Sequence, residues 1–296
     1  MKREIIETIS KAKFSKEFIE YISNEFPDNF TPLIKQPYKY DFPDNPLVDL
    51  SVKDRLFTLL YELIPLKGYF DSKNIPTQIF YDSIQDLNFR ATRYHDLHNE
   101  YGLSERDALW IRFMYKGEMF DLGSLSFQKF HFSYAEIERQ SYDYMPFSDE
   151  MKKRFPEGEP VINVHIQTDA DLRPEKIDES LNLAHDFFTT YFPEHEYTVF
   201  TCRTWMIYPP TQDLLPPDSN ITAFANRFEI IATNQNTKQA LDRIYETSDL
   251  AEIEKMEKHS SLAEVAYKNL DKLGVAAGVI PRINSSKGSV TDTSNI

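Results

Sequence analysis

Apolar positions in the first hundred residues recur at helical spacing. Ile5, Ile6 and Ile9 form one stripe, and Phe18, Ile19 and Ile22 a second, with Ser15 placed to cap the second start. Residues 27–48 carry Pro27, Pro32, Pro37, Pro43 and Pro46 and read as an irregular connector. Leu56, Leu59, Leu60 and Leu63 resume a helix over 51–64. The clearest stripe is Phe80, Ile84, Leu87, Ala91 and Tyr94, which predicts one helix over 75–100 with Pro76 near its start. Gly102 ends it, and Ser104 caps a further helix carrying Leu109, Trp110, Phe113 and Met114.

Beyond Gly117 the period shortens. Residues 119–132 alternate as strands, with a hairpin turn at Gly123. The segment 133–159 is weakly patterned, and its Tyr142, Tyr144, Met145 and Phe147 are placed to cover a cleft. Residues 161–167 form a strand, with Ile162, Val164 and Ile166 on one face and Asn163, His165 and Gln167 on the other. A helix follows on Ile177, Leu181, Ala184, Phe188 and Tyr191, with Pro174 in its first turn. Strands over 197–208 and 227–233 come next, separated by a turn and a short helix capped by Ser219. Two acidic helices (237–246 and 260–273) precede an apolar GVAAGVI run that reads as a last strand. The polar stretch 284–296 reads as disordered. The order is therefore a helical N-terminal domain over 1–116, an α/β domain over 117–283 and a tail.

Composition narrows the function. Only 8 glycines occur, and neither a dinucleotide fingerprint nor a P-loop is present. Lys and Arg number 33 against 47 Asp and Glu, a net charge of −14 that opposes nucleic-acid binding. The single cysteine, Cys202, admits no disulfide within the chain and fits a reducing compartment. The N-terminus lacks an apolar signal core, and no run of 18 apolar residues could span a bilayer. A cytoplasmic protein is expected. His95 and His98 have ligand spacing, but no second cluster completes a metal site.

His165 leads the candidate chemistry, because imidazole moves protons near neutral pH and projects here from the polar face of an apolar strand. The bland alternative is a structural histidine bound to a carbonyl. Cys202, one strand later, reads either as a thiolate nucleophile or as a small buried hydrophobe. Trp205 reads as a packing anchor or a substrate platform, and Tyr208 as a strand-end acid or a packing ring. Ser219 and Asn220 fit a helix cap, and such a helix start also suits an anion.

The ordered set Val164-His165-Ile166, Asp178 with Ser180-Leu181, Phe187-Phe188 and Tyr191-Phe192-Pro193 continues into Phe200-Thr201-Cys202 with Trp205, then Leu215-Pro216, Ser219-Asn220-Ile221 and Arg227-Phe228. With Leu122-Gly123-Ser124-Leu125-Ser126-Phe127 upstream, it resembles bacterial acyltransferase-domain proteins. In that family a helical N-terminal domain joins a GNAT-like C-terminal domain. The resemblance implies an α/β (α+β) fold with a mixed sheet and flanking helices, and transfer of an acyl group from acyl-coenzyme A to a small-molecule amine. It implies that the main-chain groups of 163–167, among them Val164, Ile166 and Gln167, hold pantetheine, and that the helix start at Arg173 faces the phosphates. It puts His165 by the thioester as base, with Cys202, Trp205 and Tyr208 along the next strand. Thr168-Asp169-Ala170-Asp171 departs from the pattern: it lacks the usual glycines and carries two carboxylates. That departure keeps open a non-catalytic binding protein with the same fold. A thiol hydrolase built on Cys202 and His165 is a third class. The residues assign no oligomeric state.

Overall fold

The computed structural model of the chain describes residues 1–41, 44–134, 146–168, 170–258 and 260–282. Tyr142, Tyr144, Met145, Asp169 and the tail 284–296, all read above, lie outside the described residues. Six strands are ordered β1-β2-β3-β4-β6-β5 in one mixed sheet, as the expected fold class requires. Contacts divide the chain into two compact units. The first holds residues 1–130 and 164–171, and the second holds 131–134, 146–163 and 172–282. No helix among the described residues is long and apolar enough to cross a membrane.

The first unit is mainly helical. In α1 (Lys2–Lys11) Ile5 and Ile9 are buried. Helix α2 (Lys16–Glu25) starts where the Ser15 hydroxyl accepts the Phe18 N–H at 3.2 Å. Helix α3 (Val52–Ser72) runs past its expected end, straight through Pro65, because Leu66 and Phe70 extend its buried stripe. The single helix expected over 75–100 is two: α4 (Thr77–Ser83) and α5 (Gln85–His98), jointed at Ile84. Helix α6 (Glu105–Tyr115) is capped by Ser104. Strands β1 (Met119–Leu122) and β2 (Leu125–His131) pair antiparallel around Gly123, whose φ of +75° the tight turn requires.

In the second unit α7 (Asp149–Arg154) precedes β3 (Pro160–His165), whose last two residues belong to the first unit. Helix α8 (Pro174–Tyr191) follows with its proline at the first position. Strand β4 (Val199–Thr204) stops four residues short of the expected Tyr208. The Thr204 side chain accepts the Met206 N–H and turns the chain into a 3-10 turn, Trp205–Ile207. Short helices α9 (Pro209–Gln212) and α10 (Asn220–Ala225) lead to β5 (Glu229–Asn234). Three helices follow rather than two: α11 (Lys238–Tyr245), α12 (Leu250–Lys255) and α13 (Ser261–Lys268). Trp205 anchors their packing, in one cluster with Leu241, Tyr245, Ile253 and Leu273.

The apolar run near the C-terminus is indeed a strand, β6 (Val275–Pro281), and it lies between β4 and β5. It pairs antiparallel with both, from Val199↔Pro281 to Thr204↔Ala276 on one side and from Glu229↔Val279 to Asn234↔Val275 on the other. Its small residues answer crowding. A Cβ at Gly278 would lie 2.9 Å from the Ile207 and Phe228 side chains. Strand β3 runs parallel to β4, with Ile162↔Phe200 and Asn163↔Thr201 in register.

Candidate functional site

The antiparallel register of the hairpin sets Asp121 opposite Ser126 and Met119 opposite Gln128. Alternation then puts Asp121, Ser126 and Gln128 on one face of the sheet. Strand β3 adds His165, and Gln167 follows it. The result is a polar row inside the first unit. Ser126 donates its hydroxyl hydrogen to Asp121 Oδ1, and Gln167 Nε2 donates to Ser126 Oγ at 2.8 Å. His165 Nε2 lies 2.9 Å from Gln128 Oε1. An amide oxygen only accepts, so that imidazole nitrogen carries the proton and the basic lone pair sits on Nδ1. Ser126 is wholly buried and Gln128 is 4% exposed.

Helices hold this row in place. The Ser83 hydroxyl at the end of α4 accepts the Asp121 backbone N–H at 3.1 Å. Trp110 of α6 meets the His165 ring edge-to-face, centroids 4.9 Å apart. Arg90 of α5 lies over the Trp110 ring, donates to Asp86 at 2.8 Å and pairs with Asp107. Asp107 in turn accepts a hydrogen bond from the Ser104 cap. A chain of fixed charges and rings therefore backs the histidine.

The electrostatics give the row two unusual members. Burial pushes the Asp121 carboxyl up to about 8, with the nearby Asp86 adding like-charge repulsion against the help of Ser126 and Gln167. Asp121 retains a little solvent contact, yet the protein packed around it replaces most of the water that would hydrate its charge. Burial alone pulls His165 down to about 4. At neutral pH the pair is therefore a largely protonated acid and an uncharged imidazole. Asp86 is likewise raised by burial, opposed by Arg90.

The residues singled out from sequence fall in both units. Val164, His165, Ile166 and Gln167 lie in the first. Arg173, Cys202, Trp205, Tyr208, Ser219 and Asn220 lie in the second. Cys202 is buried in β4, opposite Gly278, and burial pushes its thiol up to about 12. Tyr208 is 7% exposed, and its ring covers Gly274. Ser219 accepts the Thr222 N–H as the cap of α10, whose first residue is Asn220. Arg173 stands at the N-cap position of α8 without a side-chain cap hydrogen bond, largely exposed and 3.5 Å from Glu175. A second cation unforeseen from sequence, Arg227, meets the same first turn, donating to Asp178 at 2.8 Å and to the Pro174 carbonyl at 3.0 Å. Sequence reading also gave no site role to Asp121, Ser126, Gln128 or Trp110. The available signal was the alternation of Ser126 and Gln128 along β2. No group of three or more His, Cys, Asp or Glu among the described residues could hold a metal ion.

A helical N-terminal region followed in the chain by a six-stranded mixed sheet, with a histidine on the third strand, defines a GNAT-like α+β protein. The profile of the GNAT-like C-terminal domain family matches residues 119–280, more than half of the chain. The chain belongs to this family, as its residues over 160–232 led us to expect. A search of curated proteins found no match. Among solved structures, an acyltransferase in complex with decanoyl-CoA is similar with a TM-score of 0.70 at 16% identity, covering 95% of this chain and 88% of that one. An acyltransferase in complex with decanoyl-CoA and teicoplanin gives a TM-score of 0.62 at 18% identity, covering 78% and 67%. An acyltransferase in complex with CoA and 10C-Teicoplanin gives 0.63 at 18% identity, with the same coverage. At these identities the likeness is one of fold.

Proposed function

We propose that this protein is an acyltransferase that moves an acyl group from acyl-coenzyme A to a small-molecule amine. The observation that carries the reading is the uncharged His165, with its proton on Nε2 held by Gln128 and its lone pair on Nδ1. Acyl-coenzyme A supplies an activated thioester carbonyl. A neutral imidazole of fixed orientation accepts a hydrogen bond from the attacking amine and takes the proton released as the C–N bond forms. The imidazolium so formed gives that proton to the departing thiolate, which balances the step, while Asp121, Ser126 and Gln167 form the hydrogen-bonded row beside it. The start of α8, with Arg173 and Arg227, supports an anion-accepting role for that end of the second unit. Family membership and the acyl-CoA complexes of the structural neighbours support the same reading. Cys202 has no part in it, because a neutral buried thiol is a poor nucleophile.

The test is release of free coenzyme A thiol from acetyl-, octanoyl- and decanoyl-coenzyme A over a panel of primary amines. His165→Ala should lower kcat by about 10²-fold or more while leaving acyl-coenzyme A affinity close to that of wild type. An unchanged kcat in that variant would remove His165 from the chemistry. The second reading, a binding protein that keeps the fold, draws on the acidic Asp169 and Asp171 in the loop before α8. It predicts neither saturable thermal stabilisation by coenzyme A nor thiol release from any acyl donor.

A further inference from the structure

A cleft of about 410 Å³ opens in the first unit, on the second half of α3. Its walls include Glu4, Lys35, Tyr61, Glu62, Ile64 and Pro65. Glu62 is 1% exposed. Its Oε1 accepts the Gln36 N–H at 2.9 Å, from a residue held at a φ of +53°. Its Oε2 is buried and has no hydrogen-bond partner among the described residues. A buried carboxylate oxygen without a donor is costly and calls for an explanation. A second acceptor lies one residue away. Pro65 has no N–H, so the Tyr61 carbonyl four residues back lacks its regular helical donor. An acceptor with unmet capacity thus adjoins a cleft walled by an aromatic ring, an isoleucine and a proline, beside a helical turn from which the Pro65 donor is missing. Burial pushes the Glu62 carboxyl up from its usual range, against the Gln36 N–H and the more distant pull of Lys35 and Lys39.

We propose that this cleft binds a small organic cation, a primary ammonium on an apolar body, with Glu62 Oε2 and the Tyr61 carbonyl as its acceptors. A primary ammonium brings three donors and no acceptor, which matches the deficit. The Tyr61, Ile64 and Pro65 walls take the apolar body, and the tyrosine face favours a cation. Metal ions fit the site poorly, since hard cations demand about six oxygen ligands. The volume falls in the usual range for small-molecule sites, about 300–1,000 Å³. The site stands apart from acyl transfer and does not depend on that reading.

The test uses the full chain with 2-phenylethylamine as probe, and with 2-phenylethanol and potassium chloride as comparisons, read by ligand-observed NMR and calorimetry. The amine should bind with a Kd on the order of 1 mM or tighter, while the alcohol and potassium bind at least tenfold more weakly. Glu62→Gln, nearly isosteric, should weaken the amine about tenfold. Lys35→Ala lies at the cleft rim and removes a repelling charge, so it should tighten binding severalfold and serves as the second probe should Glu62→Gln fold poorly. Equal binding of amine and alcohol, no saturable amine binding, or an affinity unmoved by both variants would overturn the proposal.

Discussion

Replacing Asp121 by asparagine tests whether the first unit folds around a protonated carboxyl. In the native state this group ionises near 8, against about 3.9 in an unfolded chain. Below about pH 4 both states hold the proton, and the group contributes no dependence on pH. Between about 4 and 8 the unfolded chain loses its proton while the native one keeps it. Stability therefore falls as pH rises, by up to ~1.4 kcal/mol per pH unit. Carried to pH 8 this gives a ceiling of about 5–6 kcal/mol. Local relaxation and the residual solvent contact of Asp121 lower the sum, and we expect about 2–4 kcal/mol. Asparagine cannot ionise, yet its carbonyl still accepts from Ser126 and its backbone still donates to Ser83. Urea unfolding at pH 4.5, 6, 7 and 8 should show Asp121→Asn close to wild type at the acid end and more stable at pH 8. A stability difference that stays flat over this range, or an asparagine variant that is the weaker at pH 8, would refute the argument.

Other expectations concern the second unit and the histidine. Gly274→Ala places a Cβ 2.6 Å from the Tyr208 ring and 2.7 Å from the Asn234 carbonyl, so it should lower stability by about 1–3 kcal/mol in a denaturant titration. Cys202, buried with its thiol pushed up to about 12, should resist iodoacetamide at pH 8 in the folded protein and react once urea unfolds it. Arg173→Ala should weaken coenzyme A binding by roughly three- to tenfold with no measurable change in melting temperature, because the side chain is largely exposed. Since His165 is pulled down to about 4, its protonation should not depress the transfer rate anywhere above about pH 5. An acid limb near pH 6.5 that vanishes in His165→Gln would contradict its burial.

The stripes along the chain carried most of the element order, and their failures have physical causes. Phe80, Ile84, Leu87, Ala91 and Tyr94 keep one period across the joint between α4 and α5, because Ile84 itself stays near the helical region at φ −76° and ψ −4°. Apolar spacing does not register a joint of that kind. The strand toward Tyr208 ended early because Thr204 used its side chain as a cap, and Pro209 reads equally well as a strand stop or a helix start. Helix α12 buries only Ile253 and rests on the Asp249 cap, so it left almost no stripe. His165 and the polar row of its strand were visible in the alternation. Asp121 was not. A polar residue on a hairpin reads as solvent-facing until α4, α5 and α6 are seen packed around it, and packing between distant segments leaves no local pattern.

The place of β6 bears on how the second unit comes into being. The last strand in sequence is an inner strand of the sheet, seated between β4 and β5. During synthesis β4 and β5 are made well before the residues that will join them. Until residues 275–281 emerge, each presents an open row of amides and carbonyls, the kind of edge that recruits other chains. A nascent or truncated chain ending before Val275 is thus an aggregation hazard. Closing the sheet waits on a strand rich in alanine and glycine, which contributes little burial of its own until both neighbours flank it.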